Sequence, residues 1–257
     1  MRSLVACLSS RGSSWRTLST GRPWRVANAR TGGGGSGGGG RGSKGVLFGI
    51  IGTNVAVFAA WNTDEIDLSH RAWMFENFTM SSRGVLVEHK YSTIISHFFS
   101  HKDPMHLFTN MLSLWFFGSE ACVLLGAQRF LMLYMGGGLV SAGATIFLVP
   151  VVRAAMQPSS PFRKQHSIFR LPRPDSNRNL GASGAVNAVV AWGILSSPWR
   201  SIFLFPIPFP IPACVIGVGF LASETFSLLH RPHSHVGHGA HLGGAAYGSL
   251  LYFMFRR

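Results

Sequence analysis

A chain of 257 residues with 47% apolar and 12% charged side chains, and a positive mean hydropathy, carries too little polar surface for a soluble globule of that size. Its 23 basic residues against 9 acidic ones give a net charge of +14. Most of that excess sits in the N-terminal stretch and in one loop, without interleaved stacking aromatics, which argues against a nucleic-acid groove and leaves an integral membrane protein.

The first stretch, MRSLVACLSSRGSSWRTLSTGRPWR, is rich in Arg and Ser, precedes the first acidic residue (Asp64), and sets Leu4, Val5 and Leu8 at helical spacing. That composition predicts an organelle transit peptide, since a secretory signal would carry an uninterrupted apolar core. The arginines favour a mitochondrion and the serines keep a plastid as the alternative. TGGGGSGGGGRGSKG, residues 31–45, cannot bury apolar surface and reads as a flexible tether. Residues 1–45 are therefore set apart from a membrane domain spanning 46–257. Cys7, Cys122 and Cys214 form neither a disulfide framework nor a metal-ligand spacing.

From Val46 onward six apolar runs alternate with polar connections: Val46–Trp61, Met105–Leu125, Phe130–Val152, Leu180–Leu195, Ile202–Ala222 and Gly239–Phe255. Crossing roughly 30 Å of hydrocarbon takes about 20 helical residues, so the first and fourth runs are short. In the fifth, Pro206, Pro208, Pro210 and Pro212 forbid a regular helix and confine it to the part after Ala213. Residues 62–104, rich in aromatics, suit a structure lying in the membrane interface. Residues 153–179 read as an exposed basic loop. The fold class expected is an all-α membrane bundle of six transmembrane helices.

Three polar features stand in these apolar surroundings. Ser183 opens the fourth run between Gly181 and Gly184, so another chain can approach it closely, and it lies where a helix start offers unpaired N–H groups. A hydroxyl beside backbone donors suits acyl chemistry. His241 enters the sixth run, followed by Gly244 and Gly248 at the spacing that lets two membrane helices touch. Contact with the Ser183 helix would bring imidazole and hydroxyl within hydrogen-bond reach, and a neutral imidazole can take the serine proton. His106 and Asn110, four residues apart on one helix face, could converge as donors to an oxyanion. An acidic third member is not expected within the spans, so a two-residue Ser-His site is the economical reading.

The combination of HxxxN (His106, Asn110), GxSG (Gly181 to Gly184) and AHxxGxxxG (Ala240 to Gly248), in this order on these spans, resembles the rhomboid intramembrane serine proteases. The resemblance covers residues 46–255. It implies a six-helix bundle that cleaves transmembrane segments of other membrane proteins within the bilayer, without a cofactor or metal. It further implies that Ser183 is the nucleophile, His241 the general base and acid, and His106 and Asn110 oxyanion donors beside the Ser183 N–H. With a mitochondrial leader, the nearest subgroup is the inner-membrane rhomboids. His97 and His101 match positions where the family often carries histidines. Two departures stand out: Tyr91, Ser92 and Thr93 replace a frequent Trp-Arg pair, and Asn187 replaces an aromatic that packs on the imidazole. Sharing a helix face with Ser183, the Asn187 amide is expected to orient His241 by a hydrogen bond.

Two other readings compete. His230, His233, His235, His238 and His241 form a His-rich stretch of the kind that binds zinc or copper, which suits a metal transporter. A rhomboid-like binding protein without proteolysis is the second. Substrate, cleavage site, membrane orientation and oligomeric state leave no readable trace in the sequence.

Overall fold

The structure, a computed structural model, describes residues 39–63, 67–156, 178–203, 208–230 and 237–255. The proposed leader and most of the basic loop after Met156 lie outside these residues, as do His233 and His235. The described chain is overwhelmingly helical: α1 (Gly39–Trp61), α2 (Leu68–Phe78), α3 (Ser82–Leu86), α4 (Thr93–Ser96), α5 (Pro104–Gly143), α6 (Val149–Met156), α7 (Ser183–Ser196), α8 (Ala213–His230) and α9 (His238–Phe255). A π-helical stretch, Ala144–Leu148, joins α5 to α6.

Three stretches, Lys44–Trp61, Pro104–Val152 and Ala213–His230, are long and apolar enough to cross a membrane. The second, at 49 residues, is more than twice the length of one crossing. It breaks at Gly126, whose φ of 76° and ψ of 169° leave helical geometry at little steric penalty because the residue has no Cβ. The break falls in the gap between the second and third apolar runs. The start of α5 is fixed by Asp103, whose carboxylate accepts the His106 N–H at 2.7 Å, with Pro104 supplying a helical φ and no surplus donor.

The fifth run is shifted from the expectation of Ile202–Ala222. Its proline-rich half yields two two-residue strands, Ser201–Ile202 paired antiparallel with Ile211–Pro212, and α8 starts at Ala213 and continues to His230. The long first connection folds as α2, α3, α4 and a 3₁₀ turn at His97–Phe99. Asp67 and Ser81 cap α2 and α3 by accepting the N–H groups of His70 and Gly84. Lys102 Nζ lies 4.8 Å from the Trp61 ring and 3.9 Å from that of Phe75, and Trp61 Nε1 donates to Ser100 Oγ at 2.7 Å, tying this layer to the end of α1.

Helix α7 packs chiefly on α5 and α9, while α1 packs on α5. The core joins Leu47, Leu114, Phe130, Leu133, Tyr134 and Val189 to Phe98 of the interfacial layer. The buried Asn54 amide N–H group donates to the Ile50 carbonyl at 2.9 Å and approaches Tyr134 Oη at 3.4 Å, while Asn54 Oδ1 and Trp192 Nε1 carry no hydrogen bond. Outward faces are apolar, with Phe48, Phe116, Val218 and Phe253 more than half exposed, as a lipid solvent requires.

Candidate active site

The approach to α7 is built from backbone. Met80 and Asn179 exchange N–H···O bonds of 2.8 Å, and the Gly181 N–H donates to the His97 carbonyl at 2.9 Å. The Ala182 N–H donates to His101 Nε2 at 3.2 Å. Gly181 takes a φ of +127°, a conformation that L side chains rarely adopt, and an added Cβ there would stand 2.6 Å from the His106 ring. The chain thereby turns directly into α7 at Ser183, with the imidazole of His106 lying against Gly181.

His97 and His101 lie outside the membrane-spanning helices. Burial pushes His97 down from the ordinary 6.5 to about 4, and burial with the neighbouring His106 pushes His101 to about 3. Both are thus neutral in the fold yet protonated in an unfolded chain below pH 6.5. The unfolded state then binds more protons, so stability is complete above about pH 6.5 and falls as pH drops toward 4, by up to about 1.4 kcal/mol per pH unit for each histidine. The unfolding midpoint of the purified protein should therefore drop between pH 7 and pH 5 (a flat profile would contradict the burial argument).

Helix α9 meets α7 at backbone distance. An added Cβ on Gly244 would stand 1.9 Å from the Gly184 carbonyl oxygen, and one on Gly248 would stand 2.0 Å from that of Ala188. Gly184 is itself closed in by Ser141, whose Oγ would be 1.9 Å from an added Cβ. This contact brings Ser183 Oγ and His241 Nε2 to 2.8 Å, hydrogen-bonded and part-buried. Of the four glycines singled out in the sequence, Gly184, Gly244 and Gly248 line this contact while Gly181 faces His106 of α5, and the serine and imidazole meet at the mouth of the contact.

Asn110 is buried on the same α5 face as His106, and its amide donates to the His106 carbonyl at 2.8 Å. One of its two N–H bonds therefore serves its own helix. Asn187 does not orient His241: Nε2 faces Ser183 Oγ and the buried Nδ1 carries no hydrogen bond. The ring nearest the imidazole comes from α8, with Phe220 at a centroid distance of 6.2 Å.

The expectation that no carboxylate enters the spans is corrected at two positions. Glu120, within the second apolar run, pairs with Arg200 beyond the end of α7. Glu224 sits in α8, buried, with Oε2 at 2.7 Å from His238 Nδ1 and 3.1 Å from His241 Nδ1. It lies two residues past the expected end of the fifth run, and the proline-delayed helix start is the signal that would have placed it inside. Of the His-rich stretch, His238 and His241 face Glu224, whereas His230 is exposed and stacks on Phe226 at 4.2 Å.

A family model described as the Rhomboid domain matches residues 88–257. The chain is 32% identical over 212 residues to "RHOMBOID-like protein 12, mitochondrial" of Arabidopsis thaliana, covering 82% of this chain and 59% of that protein. It is 30% identical over 207 residues to "Rhomboid protein 1, mitochondrial" of Saccharomyces cerevisiae, covering 80% and 52%. To "Presenilin-associated rhomboid-like protein, mitochondrial" of Bos taurus it is 27% identical over 201 residues, covering 78% and 46%. The chain spans about half the length of the relatives it matches.

Proposed function

From its membership of the rhomboid family, to which this chain belongs as a mitochondrial-type member, we propose that the protein is an intramembrane serine endopeptidase cleaving transmembrane segments of other membrane proteins. It is a multi-pass protein of a mitochondrial membrane, and we assign it to the inner one. We divide the chain into a leader with its tether, residues 1–45, and a membrane domain, residues 46–257, whose first helix α1 begins within the tether stretch at Gly39. Six crossings follow if the stretch broken at Gly126 contributes two and α7 and α9 one each, beside α1 and α8.

The observation that carries the reading is the 2.8 Å hydrogen bond between Ser183 Oγ and His241 Nε2 at the mouth of two closely packed helices. Ser183 Oγ attacks the scissile carbonyl carbon while its proton passes to Nε2, and the carbonyl π pair moves onto oxygen. His241 then returns the proton to the departing amide nitrogen, and water hydrolyses the acyl-enzyme by the same route. The oxyanion takes the Ser183 N–H, with His106 against Gly181 and the remaining Asn110 N–H as further donors. The Gly181 and Ala182 N–H groups are already committed to the interfacial layer, which leaves Ser183 as the first donor of the turn.

The test is co-expression of the full chain with a panel of single-span reporter proteins, comparing wild type with Ser183→Ala. Fragments formed by wild type alone are expected. Equal cleavage by both would overturn the protease reading, and capture of uncut reporters by both would favour a rhomboid-like binder. Metal uptake by liposomes that survives Ser183→Ala would favour a transporter.

A further inference from the structure

Glu224 stands in a helix apolar enough to cross a membrane, with 9% of its surface exposed. A carboxylate in that position is expensive unless partnered, and in membrane helices it marks function. Its partners are two imidazoles one helical turn apart on α9, both addressing the same oxygen. The first, His238 Nδ1, is hydrogen-bonded to Oε2 at 2.7 Å.

The second is His241, the base of the proposed dyad. For Nε2 to accept the serine proton, the hydrogen of the neutral ring must sit on Nδ1. That Nδ1 is buried and lacks a hydrogen bond. Oε2 lies 3.1 Å away but off the line of the N–H. A small rotation of ring or carboxylate would align them. When Nε2 gains the proton, the ring becomes a cation on a side chain only 13% exposed, and the nearest anion is Glu224.

We propose that Glu224 is a positioning residue that completes a Ser183–His241–Glu224 triad, its carboxylate fixed by His238 and accepting the His241 Nδ1–H. The inference rests on the protease reading above. During acylation the Ser183 proton moves from Oγ to Nε2, the Nδ1 proton stays on the ring, and Glu224 stays ionised, stabilising the imidazolium without taking its proton.

Glu224, His238 and His241 also offer three ligand atoms within 4.8 Å of one another, a set that suits zinc. A cation there would occupy Nδ1 in place of the proton, so the two roles exclude each other.

The experiment uses the full chain in liposomes with a single-span substrate, comparing wild type with Glu224→Gln, Glu224→Asp, Ser183→Ala and, as a control, the exposed His230→Gln. Glu224→Gln is expected to lower kcat on the order of 100-fold with KM held within about twofold, and to slow fluorophosphonate labelling of Ser183 in parallel. Glu224→Asp should recover all but about tenfold of that rate, and His230→Gln should match wild type. Glu224→Gln turning over within about twofold of wild type, beside an inactive Ser183→Ala, would overturn this inference and leave the protease reading standing. Full turnover by Ser183→Ala would sink both. If Glu224→Gln does not fold, Glu224→Asp decides: a fall of about tenfold in kcat at constant KM supports the triad and an unchanged kcat overturns it. Turnover abolished by a chelator and restored by zinc would assign the cluster to a metal and overturn the positioning role.

Discussion

Replacing Ser183 and His241 together by alanine should cost no more turnover than replacing either alone, with each loss on the order of 10⁴-fold or greater. The expectation follows from one shared proton. At 2.8 Å the imidazole is the acceptor that makes the hydroxyl nucleophilic, and without the hydroxyl it has no proton to take. Either deletion leaves the same remainder: substrate binding with whatever oxyanion donors persist. The measurement is kcat for a single-span substrate in liposomes, for both single variants and the double. Multiplying losses would mean that the two groups act independently and that the hydrogen bond is not the catalytic one.

Much of the arrangement was legible in the sequence because membrane helices announce themselves by composition and close helix contacts by spaced glycines. The runs starting at Val46 and Leu180 and the stop near residue 126 reappear as α1, α7 and the break at Gly126, except that α1 begins at Gly39, inside the stretch read as a flexible tether. The Gly184, Gly244 and Gly248 pattern pointed to a contact in which any Cβ would overlap backbone or a packed side chain, whereas Gly181 makes room for His106 of α5. What failed was boundary and partner placement. Hydropathy ended the fifth run at Ala222, yet the prolines that delay its helix to Ala213 push its far end to His230 and carry Glu224 inside. Glu120 stands inside the second run in the sequence itself; what no local pattern supplies is its partner Arg200, 80 positions away. Asn187 shares a face with Ser183, but His241 approaches the first turn of α7 from α9 and its free nitrogen looks toward α8. The Ala182 bond to His101 was equally invisible, since a fold brought those two together across 81 residues.

Gly244→Ala is expected to lower turnover by more than about 100-fold and to reduce the unfolding midpoint as well. The added methyl would sit 1.9 Å from the Gly184 carbonyl oxygen, and that oxygen belongs to backbone that cannot swing aside. Relief therefore requires α9 to move away from α7 by more than about an ångström, the displacement at which catalytic geometry typically loses two orders of magnitude. Because Ser183 and His241 sit on opposite sides of this seam, the same movement stretches their 2.8 Å hydrogen bond. Gly248→Ala, 2.0 Å from the Ala188 carbonyl, strains the seam one turn farther from the pair. It should therefore cost as much stability but less turnover. Gly219→Ala, on α8, meets no atom within 4 Å and is expected to change neither quantity. Turnover per folded molecule separates the two effects. A Gly244→Ala protein that is destabilised yet fully active when folded would show that the dyad is held by something other than the α7–α9 contact, with the Glu224 bridge from α8 as the remaining tether.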